Sequence, residues 1–271
     1  MAIVRGALQL TGSIKGVTFY TRVGSDKVIM RTKGGPSKQR MAKGAEFEKL
    51  RQHQQEWGAC VQFARSVREA VGYNYRLCDF NLTPVWTGIG KNLMKMDQVG
   101  KQGERRLFLS TYRQAIEGFS FNRNYPLNSV LRVLPTSSIN REMLEATVTF
   151  PRINTANDIL NIQRLPYFRL IVSFGTVSDL VYNPQNLFYN FEPLVDLMQG
   201  VFVEKTTEWF SADNVLKEQT IELKMNEELR DFMTENVCVL LSIGIEFGKV
   251  GFGGEITEVK HAGSAKIVQV G

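Results

Sequence analysis

Apolar and polar positions alternate with a period of two near both ends of the chain and recur every three or four residues between them. Residues 17–23 and 26–32 alternate around Gly24 and Ser25. Glycine at the first loop position supplies the positive φ of a type II′ turn, so the segment is predicted to be a β-hairpin. In that register Phe19 faces Met30 and Tyr20 faces Ile29. One face collects Val17, Phe19, Val28 and Met30; the other carries Tyr20 and Ile29 beside Arg22, Lys27 and Arg31. A two-stranded hairpin is marginal in water by itself, so it must dock on its own domain or on a neighbour.

Gly34, Gly35, Pro36 and Ser37 break the alternation and lead into a basic linker ending near Lys43. From Ala45 the period is helical, with Phe47, Leu50, Gln54, Trp57, Val61, Ala64, Val67 and Val71 on one face and Gly72 as the stop. Gly58 inside this helix predicts a kink or a close approach. A second helix is expected from Thr83 as cap and Pro84 as first residue, through Trp86, Ile89, Leu93 and Met96. A third is expected over residues 104–117, presenting Leu107, Leu109, Tyr112 and Ile116. From about Leu144 the pattern is that of strands: 144–150, 168–174, 201–210, 220–225, 237–247, 256–259 and 265–270. Residues 237–247 are almost continuously apolar, as in a strand buried on both faces. Residues 226–231 read as a helical turn capped by Asn226. The predicted class is α+β: an N-terminal β-hairpin arm with its linker (1–43), a three-helix segment (44–125) and a C-terminal antiparallel β-sandwich (126–271).

Composition narrows the functional classes. The 271 residues hold 33 Lys and Arg against 27 Asp and Glu, with 43% hydrophobic residues, which argues against wholesale disorder. No apolar run approaches the roughly 20 residues that span a bilayer. No apolar stretch follows Arg5, so no signal peptide is expected and synthesis in the cytoplasm is the expectation. Cys60, Cys78 and Cys238 are odd in number and far apart, which disfavours a disulfide framework; Cys60 and Cys238 sit in apolar contexts and read as core residues. Charge is segregated: residues 1–142 carry +13 and residues 143–271 carry −7.

No catalytic signature emerges. His53 and His261 lack a second ligand at metal spacing. Ser264 follows His261 by three residues without the strand–elbow–helix context of a nucleophile, so a polar turn is the better reading. Residues 248–254 match no phosphate-loop pattern and precede a strand, which points to a hairpin turn. Glu204 and Glu208, or Glu227, Glu228 and Asp231, read as charged faces. Trp209, Phe210 and Phe252 are the aromatics a carbohydrate or peptide groove would need. An enzyme is therefore not expected, and no cofactor, metal or small-molecule substrate is implied. The basic front has three readings: a phosphate-tracking surface, a solvated hairpin, or a patch that docks on the acidic back half of the same or another copy. The third is favoured because both charges occur in one sequence.

The segment from Gly12 to Tyr20, with Gly24, the Val28-Ile-Met-Arg31 strand, the basic linker and the helix after Phe47, resembles a family of uncharacterised bacterial proteins. Gly118-Phe-Ser-Phe-Asn122 and Gly263-Ser-Ala-Lys-Ile267 share the likeness. The resemblance implies a common fold and transfers no catalytic residue. The expected function is that of a structural protein that self-assembles with other copies of itself, as a filament, tube or phage-like particle subunit. Phe19, Tyr20 and Ile29 are its expected anchors, and Arg22, Lys27 and Arg31 its ion-pairing groups. The alternative is a nucleic-acid-associated protein using the basic front.

Overall fold

The computed structural model describes residues 2–4, 11–22, 25, 27–32, 34–192 and 200–271. The chain divides into two compact units, Met1–Arg51 and Gln52–Gly271.

The first unit is a four-stranded antiparallel sheet followed by a short helix. Its strands are β1 (Ala2–Val4), β2 (Gly12–Ile14), β3 (Val17–Thr21) and β4 (Val28–Thr32), in the order β1-β4-β3-β2. The β3–β4 register pairs Phe19 with Met30 and Tyr20 with Ile29, as the alternation predicts. The expected type II′ turn involves Gly24, which lies outside the described residues. The strands flanking the hairpin were not anticipated: Ile3 pairs with Ile29, and Ile14 with Val17. Helix α1 (Lys38–Lys43) replaces part of the expected linker, because the Ser37 side chain accepts the Arg40 N–H and nucleates a turn. The Arg51 guanidinium then donates to the carbonyls of Met41 and Gly44 at 2.8 and 2.9 Å.

Helix α2 (Glu48–Ala70) runs across the boundary between the units, and its buried stripe matches the predicted one at Ala64, Val67 and Val71 but not at Trp57 and Val61. Ala59, Cys60, Phe63, Ala64, Val67 and Ala70 are buried, whereas Trp57 and Val61 are exposed. Two apolar stripes run along this helix. The one rich in small residues wins because it lets backbones approach: a Cβ on Gly175 would lie 2.2 Å from the Ala70 carbonyl oxygen. Gly58 lies in an uninterrupted helix and does not pack closely; a Cβ there meets nothing within 4 Å, and the same holds for Gly88 in helix α3 (Thr83–Met96). Gly58→Ala and Gly88→Ala are each expected to raise stability by about 0.5–1 kcal/mol, measured by urea unfolding. At the start of α3, Thr83 is the first helical residue rather than the cap, and its N–H donates to the Asn81 side chain at 3.1 Å.

The third predicted helix does not form. Residues 104–117 are irregular apart from one 3₁₀ turn, Arg113–Ala115. Tertiary partners take its backbone groups: Leu107 and Leu180 exchange N–H···O bonds at 2.9 and 3.0 Å, and Asp179 accepts the N–H groups of Leu109 and Ser110. A helix would have to break these bonds, so tertiary demand overrides the period.

The remaining strands are β5 (Thr136–Asn140), β6 (Glu145–Phe150), β7 (Ile153–Asn154), β8 (Tyr167–Asn183), β9 (Phe188–Glu192), β10 (Phe202–Thr206), β11 (Phe210–Ser211), β12 (Val215–Leu216), β13 (Gln219–Lys224), β14 (Val237–Val250), β15 (Ile256–Glu258) and β16 (Ser264–Val270). A large antiparallel sheet is built on the β8–β14 pair, with β10, β9 and β11 on β8 and with β15 and β16 on β14. A three-stranded sheet has the order β13-β6-β5, and β7 pairs with β12. Alternate residues of β8 and β14 enter different clusters. Phe168, Leu170, Val172, Val239, Leu241 and Ile243 join Val148, Phe150, Ile221 and Leu223. Ile171, Val177, Cys238 and Leu240 join the buried stripes of α2 and α3. Helices and sheet therefore share one unit, where the sequence predicts separate segments.

The segments 118–122 and 263–267 meet in space. Gly118 N–H donates to Ile267 O, Ile267 N–H to Phe119 O and Phe121 N–H to Ala265 O, each at 2.9 Å. Asn122, buried at the junction, donates to the carbonyls of Leu77 and Gly263 and accepts from the Ala265 N–H, while the Ser264 hydroxyl lies 3.1 Å from its Oδ1 and 2.8 Å from the Tyr125 carbonyl.

Candidate assembly interface

The turn between β2 and β3 is Lys15-Gly16, with φ of 47° and 123°. Positive φ at both positions is the backbone that matches strand twist in a two-residue hairpin, and glycine adopts it without strain. In such a hairpin Ile14 and Val17 form the hydrogen-bonded pair. The main-chain groups of Ser13 therefore point away from β3, while its hydroxyl lies 3.0 Å from that of Thr18. All three residues of β2 are exposed, Ile14 to 60%. Among the described residues β2 pairs on one side only, which leaves a strand edge with free donors and acceptors.

The six residues expected at the interface fall on both faces of this sheet. Tyr20 and Ile29 share a face, and the Arg31 guanidinium stands 5.7 Å from the centroid of the Tyr20 ring. Phe19 lies on the opposite face with Met30. Phe19 and Tyr20 are half-buried and Ile29 is buried, while Arg22, Lys27 and Arg31 are exposed. Lys15, Lys38 and Lys43 are exposed as well, and none of these six cations forms an ion pair among the described residues. Arg40 is held by Glu46 at 2.9 Å. The first unit carries +8 and the rest of the chain −2.

The other candidate groups are not assembled into a reactive site. The Ser264 hydroxyl donates to the Tyr125 carbonyl at 2.8 Å and is bonded to Asn122, while His261, at φ 61°, sits on the rim of a cavity of about 220 Å³. His53 lies 3.0 Å from the Gln102 amide. Residues 251–255 form the β14–β15 turn, closed by Gly251 N–H to Glu255 O. Glu204 accepts the Tyr73 N–H, and Glu227 pairs with Lys224. Burial pushes the Cys60 thiol up to about 11 and the Cys238 thiol up to about 12, so neither is a ready nucleophile. Trp209 stacks under the Arg169 guanidinium, Phe210 packs on Phe168 and Phe252 stands free, so the three aromatics line no common groove. Among the described residues no cluster of three His, Cys, Asp or Glu side chains could hold a metal, and no helix is long and apolar enough to cross a membrane.

One charged cluster escaped the sequence reading. Glu56 is fully buried on α2, where it accepts from Arg105 at 2.7 and 2.8 Å, from the Gly103 N–H at 2.9 Å and from Lys91. It ties α2, α3 and the loop after α3 together. An acid on the predicted polar face gave no signal that it would be buried. Comparison with known proteins found no matching family model, no matching curated protein and no matching solved structure.

Proposed function

We propose that the protein is a non-enzymatic structural subunit that self-assembles into a filament, tube or phage-like particle. Its N-terminal sheet adds to an exposed strand edge of a neighbouring copy, and the basic front is drawn to the acidic back half of that neighbour. In this reading the three-stranded sheet faces the large sheet as a β-sandwich that forms the body of the subunit. The observation that carries the proposal is the exposed edge of β2, unpaired among the described residues, in a compact unit of charge +8. Main-chain hydrogen bonds along such an edge supply affinity, and the flanking cations supply orientation.

Ser13→Pro tests this. Proline removes the outward-facing N–H of β2 and leaves the hydrogen-bonded pair Ile14–Val17 intact. Sedimentation of the variant is expected to show smaller assemblies than the parent chain, and raised salt is expected to weaken those of the parent. Unchanged assembly in both measurements counts against the proposal. Nucleic-acid association is the alternative, favoured by the six exposed cations that form no ion pair among the described residues. It predicts an oligonucleotide mobility shift at low salt that disappears as salt rises.

A further inference from the structure

Burying Ala59, Cys60, Phe63 and Val67 leaves the adjacent face of α2 uncovered. Trp57 is 56% exposed and Val61 43%, and Gln54 and Gly58 beside them are exposed as well. The steps from 54 to 57 and from 57 to 61 are three and four residues, the spacing of a helix–helix seam. An indole left in water forgoes the stabilisation of burial, and a glycine inside a helix lowers its stability. Nothing within the chain offsets the second cost: a Cβ on Gly58 would meet no atom within 4 Å.

Trp57 and Gly58 complement each other across a twofold axis. At about 100° per residue, they lie about 50° to either side of the line through Gln54 and Val61, one residue apart in height. An axis parallel to the helix preserves height and exchanges the two flanks. Each indole then meets Gly58 of the other copy, in a hole bounded by that copy's Gln54, Trp57, Gly58 and Val61, as in a parallel coiled coil. An axis across the helices would instead set indole beside indole and glycine beside glycine. Charge allows the match. Between Gln52 and Gln62 the only Asp, Glu, Lys or Arg is Glu56, buried against Lys91 and Arg105, in a chain where such residues make up 22%. Arg65, the next cation along, is paired with Glu69 at 2.8 Å. Two copies of this face meet without like-charge repulsion, and interface centres are depleted of charge in the same way.

We propose that α2 packs in parallel against α2 of a second copy, with Trp57 of each seated on Gly58 of the other. The contact is isologous and closes at two copies. It goes beyond the open-ended addition at the β2 edge and does not depend on it.

The test uses the full chain carrying Ser13→Pro, whose blocked β2 edge leaves this pair as the association to be read. Sedimentation over a concentration series is expected to show a monomer–dimer equilibrium. Added Trp57→Gln, at an exposed position, is expected to leave urea unfolding unchanged and to weaken the dimer about 30-fold, as loss of a central aromatic anchor does. Gly58→Ala is the sharper variant. It is expected to raise the unfolding free energy of the dilute chain, yet to weaken the dimer about tenfold, because its methyl group enters the hole. A role confined to the single chain does not give these opposite signs. In the parent background, Gln54→Cys on the seam is expected to form a symmetric disulfide on oxidation, whereas Asn92→Cys, exposed on α3, is not. A dimer unaffected by Trp57→Gln, a Ser13→Pro chain that is monomeric at every concentration, or Gln54→Cys crosslinking no better than Asn92→Cys overturns the inference. High-mass assembly unchanged in Ser13→Pro, with the Gln54→Cys crosslink formed, refutes the β2 reading and supports this one.

Discussion

Asn122→Ala is expected to lower the unfolding free energy by about 3 kcal/mol, because it removes the side chain that bonds several buried backbone groups. The Leu77 and Gly263 carbonyls and the Ala265 N–H lose their side-chain bonds, while the Ser264 hydroxyl keeps the Tyr125 carbonyl. Urea unfolding of the full chain measures the loss; a change below about 1 kcal/mol would mean that water or a rearranged backbone satisfies the junction. Asn122→Asp is a sharper variant. It keeps the acceptor toward Ala265 and turns the amide that donates to two carbonyls into a buried carboxylate. Burial raises the pKa of such a group, so this variant is expected to recover stability as the pH falls, when the protonated acid donates again.

Glu56→Gln is expected to cost about 3–5 kcal/mol, the usual penalty for removing one partner of a buried ion cluster. Lys91 and Arg105 would face each other without the carboxylate that now lies between them. Burial alone would raise the pKa of Glu56. The hydrogen bonds from Arg105, Lys91 and the Gly103 N–H outweigh it and lower the value from 4.5 to about 2. A depressed carboxyl pKa contributes stability above its unfolded value and loses it as the pH falls through the folded one. The parent chain is therefore expected to lose stability between pH 4.5 and about 2, and Glu56→Gln to lack that part of the profile. Asp179 acts in the opposite sense. Burial raises its pKa against the hydrogen bonds of Ser110 and Leu109, so it adds stability as the pH falls. The difference between the two profiles isolates Glu56.

Local patterns predicted what local forces decide. The β3–β4 register follows from strict alternation, and β13 and β14 follow from an alternating and a continuous apolar run. The Asn226 cap also forms, accepting the Glu228 N–H ahead of a 3₁₀ turn. Long-range competition decided the rest. Residues 104–117 have a helical period but spend their main-chain groups on β8. The α2 stripe holds at Ala64, Val67 and Val71 and departs earlier in the helix, where Trp57 and Val61 are exposed and Ala59, Cys60 and Phe63, one face round, are buried. Strands β1 and β2 are three residues each, too short for a period to register, although Lys15-Gly16 is a hairpin signal in hindsight. At the candidate interface, the hairpin residues and the charge asymmetry were readable. The edge that makes them useful was not, because β2 has to be placed before its free side exists. Phe252 was visible as an aromatic, but its isolation from Trp209 and Phe210 depends on the turn that lifts it away from the sheet.

The most direct test of self-assembly is the native mass of the full chain set against that of a chain lacking residues 1–35. The deletion removes all four strands of the first unit and leaves both hydrophobic clusters of the second intact. The account predicts a concentration-dependent high-mass species for the full chain that is lost or greatly reduced on deletion. A full chain that stays monomeric at high concentration, or a truncated chain that forms the same assembly, would contradict it.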